Sequence, residues 1–270
     1  MAHALLDPFS EPFMQRALIE LLLLGAVGGL VGCWIVFYEL AYSTESLAHA
    51  LFPGLVAAAL VGLPLVVGGA AGVLVAAAAI ALIARVPTIG SDAGVAIVIT
   101  SLFGLGVVMA LSRSSPPGLN ALLFGDLLGV NRADLAVSAG LTALTVGAVA
   151  LMYRPLIAVG FDRSTSGAFG ARPLLVDLGL LALIAAAVLI GVQALGNLLV
   201  VALLVGPAAT ARLLTRRLPT MMLAATLLAW ASGLAGLYLS YYVSIAAGAA
   251  VASCTVAAYV AALAGSSIRR

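Results

Sequence analysis

The chain has 270 residues, of which 64% are hydrophobic and only 8% are charged. Soluble domains average about 25% charged residues and roughly half apolar residues. A soluble fold of this length cannot hide so much apolar surface, so the composition predicts a protein that lies in lipid. The net charge of +2 forms no basic stripe, and we predict no nucleic-acid partner.

All 12 basic residues are arginine, and the chain contains no lysine. A P-loop ATPase needs the lysine of its G-x-x-x-x-G-K-[ST] motif to reach the β- and γ-phosphates. The chain therefore cannot hydrolyse ATP by that route, and we predict that it is not itself an enzyme.

Apolar runs recur along the chain, each about as long as a membrane-spanning helix, which needs about 20 residues. They fall at Ala17–Tyr38, Ser46–Leu63, Val66–Ala84, Ala93–Leu111, Leu135–Tyr153, Leu174–Gln193, Leu198–Leu214, Met221–Tyr241 and Ile245–Ala264. The prediction is an all-α, polytopic membrane helix bundle with eight or nine transmembrane helices, with residues 1–270 forming a single transmembrane domain. The number is open because Leu174–Leu214 could contain a re-entrant or broken helix.

The arginines predict an orientation, because cytoplasmic loops carry an excess of positive charge. If the loop Arg154–Arg172 is cytoplasmic, about nine arginines lie inside and about three outside. The opposite orientation reverses that ratio. We therefore predict an outside N-terminus and an inside C-terminus.

Acidic residues are few, and all ten lie at or before Asp177. Since an ionisable group within the hydrocarbon is costly, its presence there is by default a functional hypothesis. Glu20, Glu39 and Asp177 fall near predicted helix ends and are expected at the membrane interface.

One polar cluster, Ser43–Gly54, contains an acid and a histidine four residues apart. On a helix, Glu45 and His49 share one face, and a carboxylate with an imidazole suits Mn²⁺, Zn²⁺ or Fe²⁺. The spacing fits equally well a histidine beside a helix start that Glu45 stabilises through the helix dipole. Asp92, which opens the fourth span, is either a helix cap or a pathway residue.

The longest break between spans on the predicted inside is the polar loop Gly160–Arg172. Two aromatic residues in it, Phe161 and Phe169, are candidate anchors for a cytoplasmic partner. The alternative is an ordinary linker.

Motifs over nearly the whole length resemble those of the zinc/manganese/iron permease family of ABC importers, the ABC-3 family. Residues 44–54 resemble the family's G-D-A-L-S-H-A-x-L-P-G, with Glu45 in place of Asp, and residues 92–100 resemble D-A-A-I-G-I-V-F-S, with Ala96 in place of a common glycine. Four further motifs are similar: L-F-G-x-L-L-G-V at 123–130, F-D-x-x-x-A-x-x-x-G at 161–170, V-G-x-L-L-V-x-A-L-L-x-x-P-A-A-T-A-R at 195–212 and G-L-x-L-S-Y-Y at 236–242. After the last motif, Ser244, Ala246 and Ala247 stand where the family often has Asp and Pro.

The resemblance implies a type II-like ABC importer permease in the bacterial plasma (inner) membrane. It implies a homodimer with two cytoplasmic ABC ATPases and an extracytoplasmic metal-binding receptor, with no permanently bound cofactor and Zn²⁺, Mn²⁺ or Fe²⁺ as the transported ion. Glu45 and His49 would line the metal path, with Asp92 as a further candidate, and Pro53, Gly54 and Pro207 would be structural motif residues. The cytoplasmic coupling loop 160–173 would meet the ATPase through Phe161, Asp162, Arg163, Ala168, Phe169 and Gly170.

Two other classes of function are compatible with parts of the sequence. An ion-coupled secondary carrier of a metal or small molecule would work without an ATPase, although such carriers often show internal repeats and none is evident. An intramembrane enzyme would use Ser43 or Ser46 with His49. Transport measured with and without an ATPase separates the three.

Overall fold

The structure, a computed structural model, describes residues 7–83, 91–112, 123, 125–164, 166–170 and 172–268. Regular structure in these ranges is helical throughout. The main helices are α1 (Pro12–Phe37), α2 (Ala41–Val61), α3 (Leu65–Ile83), α4 (Ser91–Ala110), α5 (Arg132–Phe161), α6 (Pro173–Leu195), α7 (Val200–Leu214), α8 (Leu218–Val243) and α9 (Ala247–Ile268).

The prediction of an all-α, polytopic membrane bundle is confirmed. Within the described ranges, seven helices are long and apolar enough to cross a membrane, whereas α3 and α7 contribute shorter apolar stretches. At 15 residues, α7 is about 22 Å long, which is less than the roughly 30 Å of a bilayer core. The chain leaves α6 at Gly196 and becomes helical again only at Val200, so an interruption does occur within the stretch where a broken helix was considered.

Helix α1 forms the centre of the bundle and packs against α5, α6, α7 and α8. Residues near the start of α1 contact the start of α5, and residues near the end of α1 contact the end of α5. The Arg16 Nε donates to the Val130 carbonyl at 2.9 Å, and the Tyr38 hydroxyl donates to the Leu156 carbonyl at 2.7 Å. The two helices are therefore parallel, and α5 ends at the same end of the bundle as α1.

Glu20 lies inside the protein rather than on its surface. Only 1% of this residue is exposed, and its Oε1 accepts a hydrogen bond from the Ser138 hydroxyl of α5 at 2.7 Å. Helix α1 begins at Pro12, earlier than its predicted apolar run. Glu20 therefore sits about 12 Å along the helix from its first residue.

Helices α2 and α3 meet through glycines rather than through side chains. A Cβ added to Gly54 would overlap the carbonyl oxygen of Gly68, and a Cβ added to Gly68 would overlap the carbonyl oxygen of Gly54. Gly72 continues this contact beside the backbone of Ala50. Small residues allow helices in lipid to approach closely, and Gly54, Gly68 and Gly72 provide such a contact between α2 and α3.

Replacing Gly54 with alanine should destabilise the fold, because the new methyl group would press against a backbone carbonyl that cannot turn aside. We expect a loss of about 1–3 kcal/mol, the usual cost of overpacking, seen as a lower thermal unfolding midpoint in detergent. Gly140→Ala is the control, since a Cβ at Gly140 meets nothing within 4 Å. Equal midpoints for the two variants would contradict the close contact.

Candidate functional site

The acid and the histidine of the polar cluster lie on one face of α2. The helix begins at Ala41, ahead of the predicted Ser46, so both residues are within it and one turn apart. Glu45 is exposed and His49 is half-buried. The pair is therefore accessible from outside this single chain while remaining fixed to a well-packed helix.

The imidazole of His49 is held by an aromatic contact from α4. The ring of Phe103 lies 4.4 Å from it, centroid to centroid, with an angle of 35° between the planes. Phe103 in turn contacts Phe52, one turn further along α2, at 5.4 Å. These apolar neighbours limit the orientations open to the His49 ring.

A second contact comes from the break between α6 and α7. The Asn197 Nδ2 lies 3.2 Å from the His49 Nδ1, joining residues 148 positions apart in sequence. Asn197 follows the far end of α6, a 23-residue helix about 34 Å long that starts directly after the loop 160–173. The contact therefore joins His49 of α2 to the end of α6 that lies opposite that loop.

The stretch from Leu123 to Val130 supports this break. The backbone N–H of Leu198 donates to the carbonyl of Leu123 at 3.3 Å. Gly125, with a positive φ of 79°, packs so closely on the backbone of Leu195 and Gly196 that a Cβ would overlap it. Leu123 and Gly125 of the third sequence motif therefore lie against the connection that carries Asn197.

Two prolines lie inside helices of the site region, as the sequence indicated. Pro53 is buried in α2, and because proline has no N–H, the carbonyl of His49 one turn earlier loses its usual helical partner. Pro207 is buried in α7 and frees the carbonyl of Leu203 in the same way. That carbonyl faces α1, where a Cβ on Gly28 would lie 3.0 Å from it.

The pair on α2 is an incomplete metal site by itself. Among the described residues, no group of three or more His, Cys, Asp and Glu side chains is placed to hold an ion. Asp92 belongs to the first turn of α4, but its side chain lies outside the described part of the structure. Since divalent metals take at least four ligands, a single chain provides about half of a coordination shell.

The polar segment that follows α5 is an ordered turn. Asp162 ends the helix, and its Oδ1 accepts hydrogen bonds from the Ser164 N–H at 2.9 Å and from the Ser164 hydroxyl at 2.7 Å. Arg163 forms an ion pair with Asp177 of α6. The turn is thereby tied to both helices that it connects.

An exposed aromatic residue marks the start of this segment. Phe161 is 77% exposed, and its ring contacts Phe37 at the end of α1, 5.5 Å between centroids. Ala168 and Phe169 belong to a short 3-10 helix, but their side chains lie outside the described part. Gly170 has a φ of 74°, a conformation that favours glycine.

Three contacts within the bundle were not evident from the sequence. Asn197 occupies an open position, x, of the V-G-x-L-L motif, and its partner is far away in the chain. Phe103 and Ser138 looked like ordinary members of apolar runs. The single usable signal was the asparagine itself, a polar residue between two long apolar stretches.

Comparison with known proteins identifies relatives over nearly the whole length. The family model described as the ABC 3 transport family matches residues 10–266. A manganese transport system membrane protein, MntC, of Halalkalibacterium halodurans is 33% identical over 243 residues, covering 90% of this chain and 83% of that protein. A probable iron transport system membrane protein of Haemophilus influenzae is 31% identical, covering 98% of each chain.

A solved structure has the same fold. The structure described as PsaBC from Streptococcus pneumoniae in complex with Fab contains a chain with a TM-score of 0.91 to this one. The two are 27% identical, and the alignment covers 97% of this chain and 95% of that chain.

Gly125→Ala should disturb the connection that carries Asn197, because alanine would bring both a strained φ and an overlap with the backbone of α6. Gly62→Ala is the matched control: Gly62 has a similar φ of 75° with nothing within 4 Å of an added Cβ. The control should lose only the roughly 1–2 kcal/mol of left-handed strain. Thermal unfolding midpoints should be lower for Gly125→Ala, and a smaller loss than in the control would contradict the contact.

Proposed function

This chain belongs to the ABC 3 transport family, and from that premise we propose that it is the multi-pass plasma-membrane permease of an ATP-driven importer of a divalent transition metal. The ion would be received on the extracytoplasmic side and released into the cytoplasm. The relatives named for manganese and iron support those two ions first, with zinc as the third candidate.

The observation that carries the proposal is the pair of Glu45 and His49 on α2. A carboxylate oxygen and an imidazole nitrogen are ligands that manganese, iron and zinc all accept. Glu45 is exposed and His49 is half-buried, so the pair can be reached from outside the chain. An ionisable pair in a membrane helix carries an energetic cost that a function would explain. Transport also requires that the ion be released, which a partial set of ligands favours.

We further propose that two copies of the chain line the pathway together. One copy offers one carboxylate and one imidazole, and a twofold arrangement would offer two of each. Four such ligands complete a tetrahedral coordination shell or most of an octahedral coordination shell. The exposure of Glu45 in the single chain is what such an arrangement needs.

The energy source in this proposal is a partner ATPase on the cytoplasmic side, and a metal-binding receptor delivers the ion from the other side. The segment Phe161–Arg172 would receive the movement of the ATPase. Its support is structural: an exposed phenylalanine, an ordered turn at Asp162 and an ion pair to α6 combine an accessible surface with firm attachment to two helices.

Glu45→Gln and His49→Gln should each reduce metal uptake to background, because each removes one ligand with little change in size. The measurement is ATP-dependent Mn²⁺ uptake into proteoliposomes that contain the permease, its ATPase and its receptor. Glu39→Gln is the control, since it removes an exposed carboxylate at the start of the same region without touching the pair.

Uptake at the wild-type rate in both ligand variants would refute the metal-path role. Uptake that persists after the ATPase is omitted would instead identify an ion-coupled carrier.

Phe161→Ala should weaken assembly with the ATPase while leaving metal binding unchanged. Truncation of an aromatic anchor typically costs 1–2 kcal/mol or more, so we expect about a tenfold or larger loss of affinity. Co-purification and titration of the ATPase against the permease in nanodiscs measure it. Leu151→Ala on the same helix is the control, because Leu151 is 85% exposed and lies within the predicted span. An equal effect of the two variants would contradict a docking role for Phe161.

A further inference from the structure

The asparagine behind the histidine has an unusual environment for a side-chain amide. Only 1% of Asn197 is exposed. Its Nδ2 faces the Nδ1 of His49 at 3.2 Å, whereas its Oδ1 is buried and has no hydrogen-bond partner among the described residues. Leaving a buried acceptor unbonded usually costs about 1–3 kcal/mol, so the arrangement calls for an explanation.

The amide has a donor end and an acceptor end, and the two ends require different forms of the imidazole. With Nδ2 towards the ring, Nδ1 accepts and the proton of a neutral imidazole lies on Nε2. With the amide turned by half a rotation, Oδ1 accepts from a protonated Nδ1 and the Nε2 lone pair is free. A cation can be bound by Nε2 only in the second arrangement, because the ligating nitrogen must carry no proton.

We propose that Asn197 is a positioning residue for the metal path: its side-chain amide turns so that Oδ1 accepts from Nδ1–H of His49 and presents Nε2 to the passing cation. The inference rests on the proposed function of His49 as a ligand. The unbonded Oδ1 is the acceptor that the turned amide uses. In the ion-free arrangement, Nδ2 holds the same ring in place with its Nε2 protonated.

The position of Asn197 favours this role over that of a ligand. Asn197 is fully buried while His49 is half open, so an ion that approaches the pair meets the imidazole first and the amide lies behind it. Metal-bound histidines commonly donate their second N–H to such a partner, which fixes the ring and its tautomer.

The backbone around Asn197 is held in place, as is needed for a side chain that positions the His49 ring. Gly196 has a φ of 79°, and its close contact with Gly125 holds the connection in place. The amide group can rotate about its own side-chain bond while its main chain stays in place.

Nuclear magnetic resonance of the histidine ring nitrogens tests the proposal directly. The chain has two histidines, so the full-length protein with His3→Ala, labelled with ¹⁵N-histidine in nanodiscs, reports on His49 alone. We expect an Nε2-protonated ring without metal. On addition of Zn²⁺ as a diamagnetic probe, we expect Zn²⁺ on Nε2 and a proton on Nδ1. Binding of Zn²⁺ through Nδ1 would overturn the proposal.

Two substitutions of Asn197 distinguish a role in positioning the His49 ring from a role in packing alone. Asn197→Asp keeps the shape but offers only acceptors, so it should shift the metal-free ring to the Nδ1-protonated form. Asn197→Leu keeps the approximate volume without hydrogen bonds and should lower Zn²⁺ affinity by about 10–100-fold, the usual cost of losing such a partner. Thr255→Val is the control, because Thr255 is 1% exposed and bonds only its own helix, at the Val251 carbonyl.

An unchanged ring signal in Asn197→Asp, or unchanged Zn²⁺ affinity in Asn197→Leu, would overturn the role of Asn197. If Asn197→Leu fails to fold, the signal of Asn197→Asp decides alone. Failure of the metal-path function has a different signature, namely normal Mn²⁺ uptake by His49→Gln. The metal-free ring signal reports on the Asn197 contact whichever result the uptake assay gives.

Discussion

Every backbone N–H and C=O group within a bilayer needs a partner in the protein, because lipid provides none. The helices meet this requirement internally, and the connection Gly196–Leu199 meets it in part through local hydrogen bonds such as the one from the Leu199 N–H to the Gly196 carbonyl. One further group of this connection, the Leu198 N–H, donates to the carbonyl of Leu123, which is distant in the chain. This hydrogen bond anchors the residue next to Asn197, whose side chain contacts the His49 ring.

The sequence revealed the helices well because membrane spans are the strongest signal that a sequence carries. The nine apolar runs correspond to α1 to α9. The separation of four residues between Glu45 and His49 correctly predicted that the two share one face of a helix. Helix starts were less accurate, as at α1 and α2, because polar residues such as Glu11 and Thr44 obscure the edge of an apolar run. Because of that error Glu20 was placed near the end of α1, whereas it lies about two turns into the helix and is buried against Ser138.

The contacts that complete the site could not be predicted, for a physical reason. Periodicity reports which face a residue occupies, but not which distant segment meets that face. His49 and Asn197 are 148 positions apart, and their meeting depends on how far α6 extends and on a turn at Gly196 that a single sequence does not define. The ring contact of Phe103 with His49 has the same origin, since α4 reaches α2 only through tertiary packing.

The glycine contact between α2 and α3 has a consequence for motion. Where the backbones of Gly54 and Gly68 touch without intervening side chains, neither helix can slide or rotate against the other without atomic overlap. The two helices therefore behave as a rigid body that carries the acid and the imidazole with it. This body borders α4, α6 and α7, and the hydrogen bond between His49 and Asn197 crosses the border with the connection between α6 and α7.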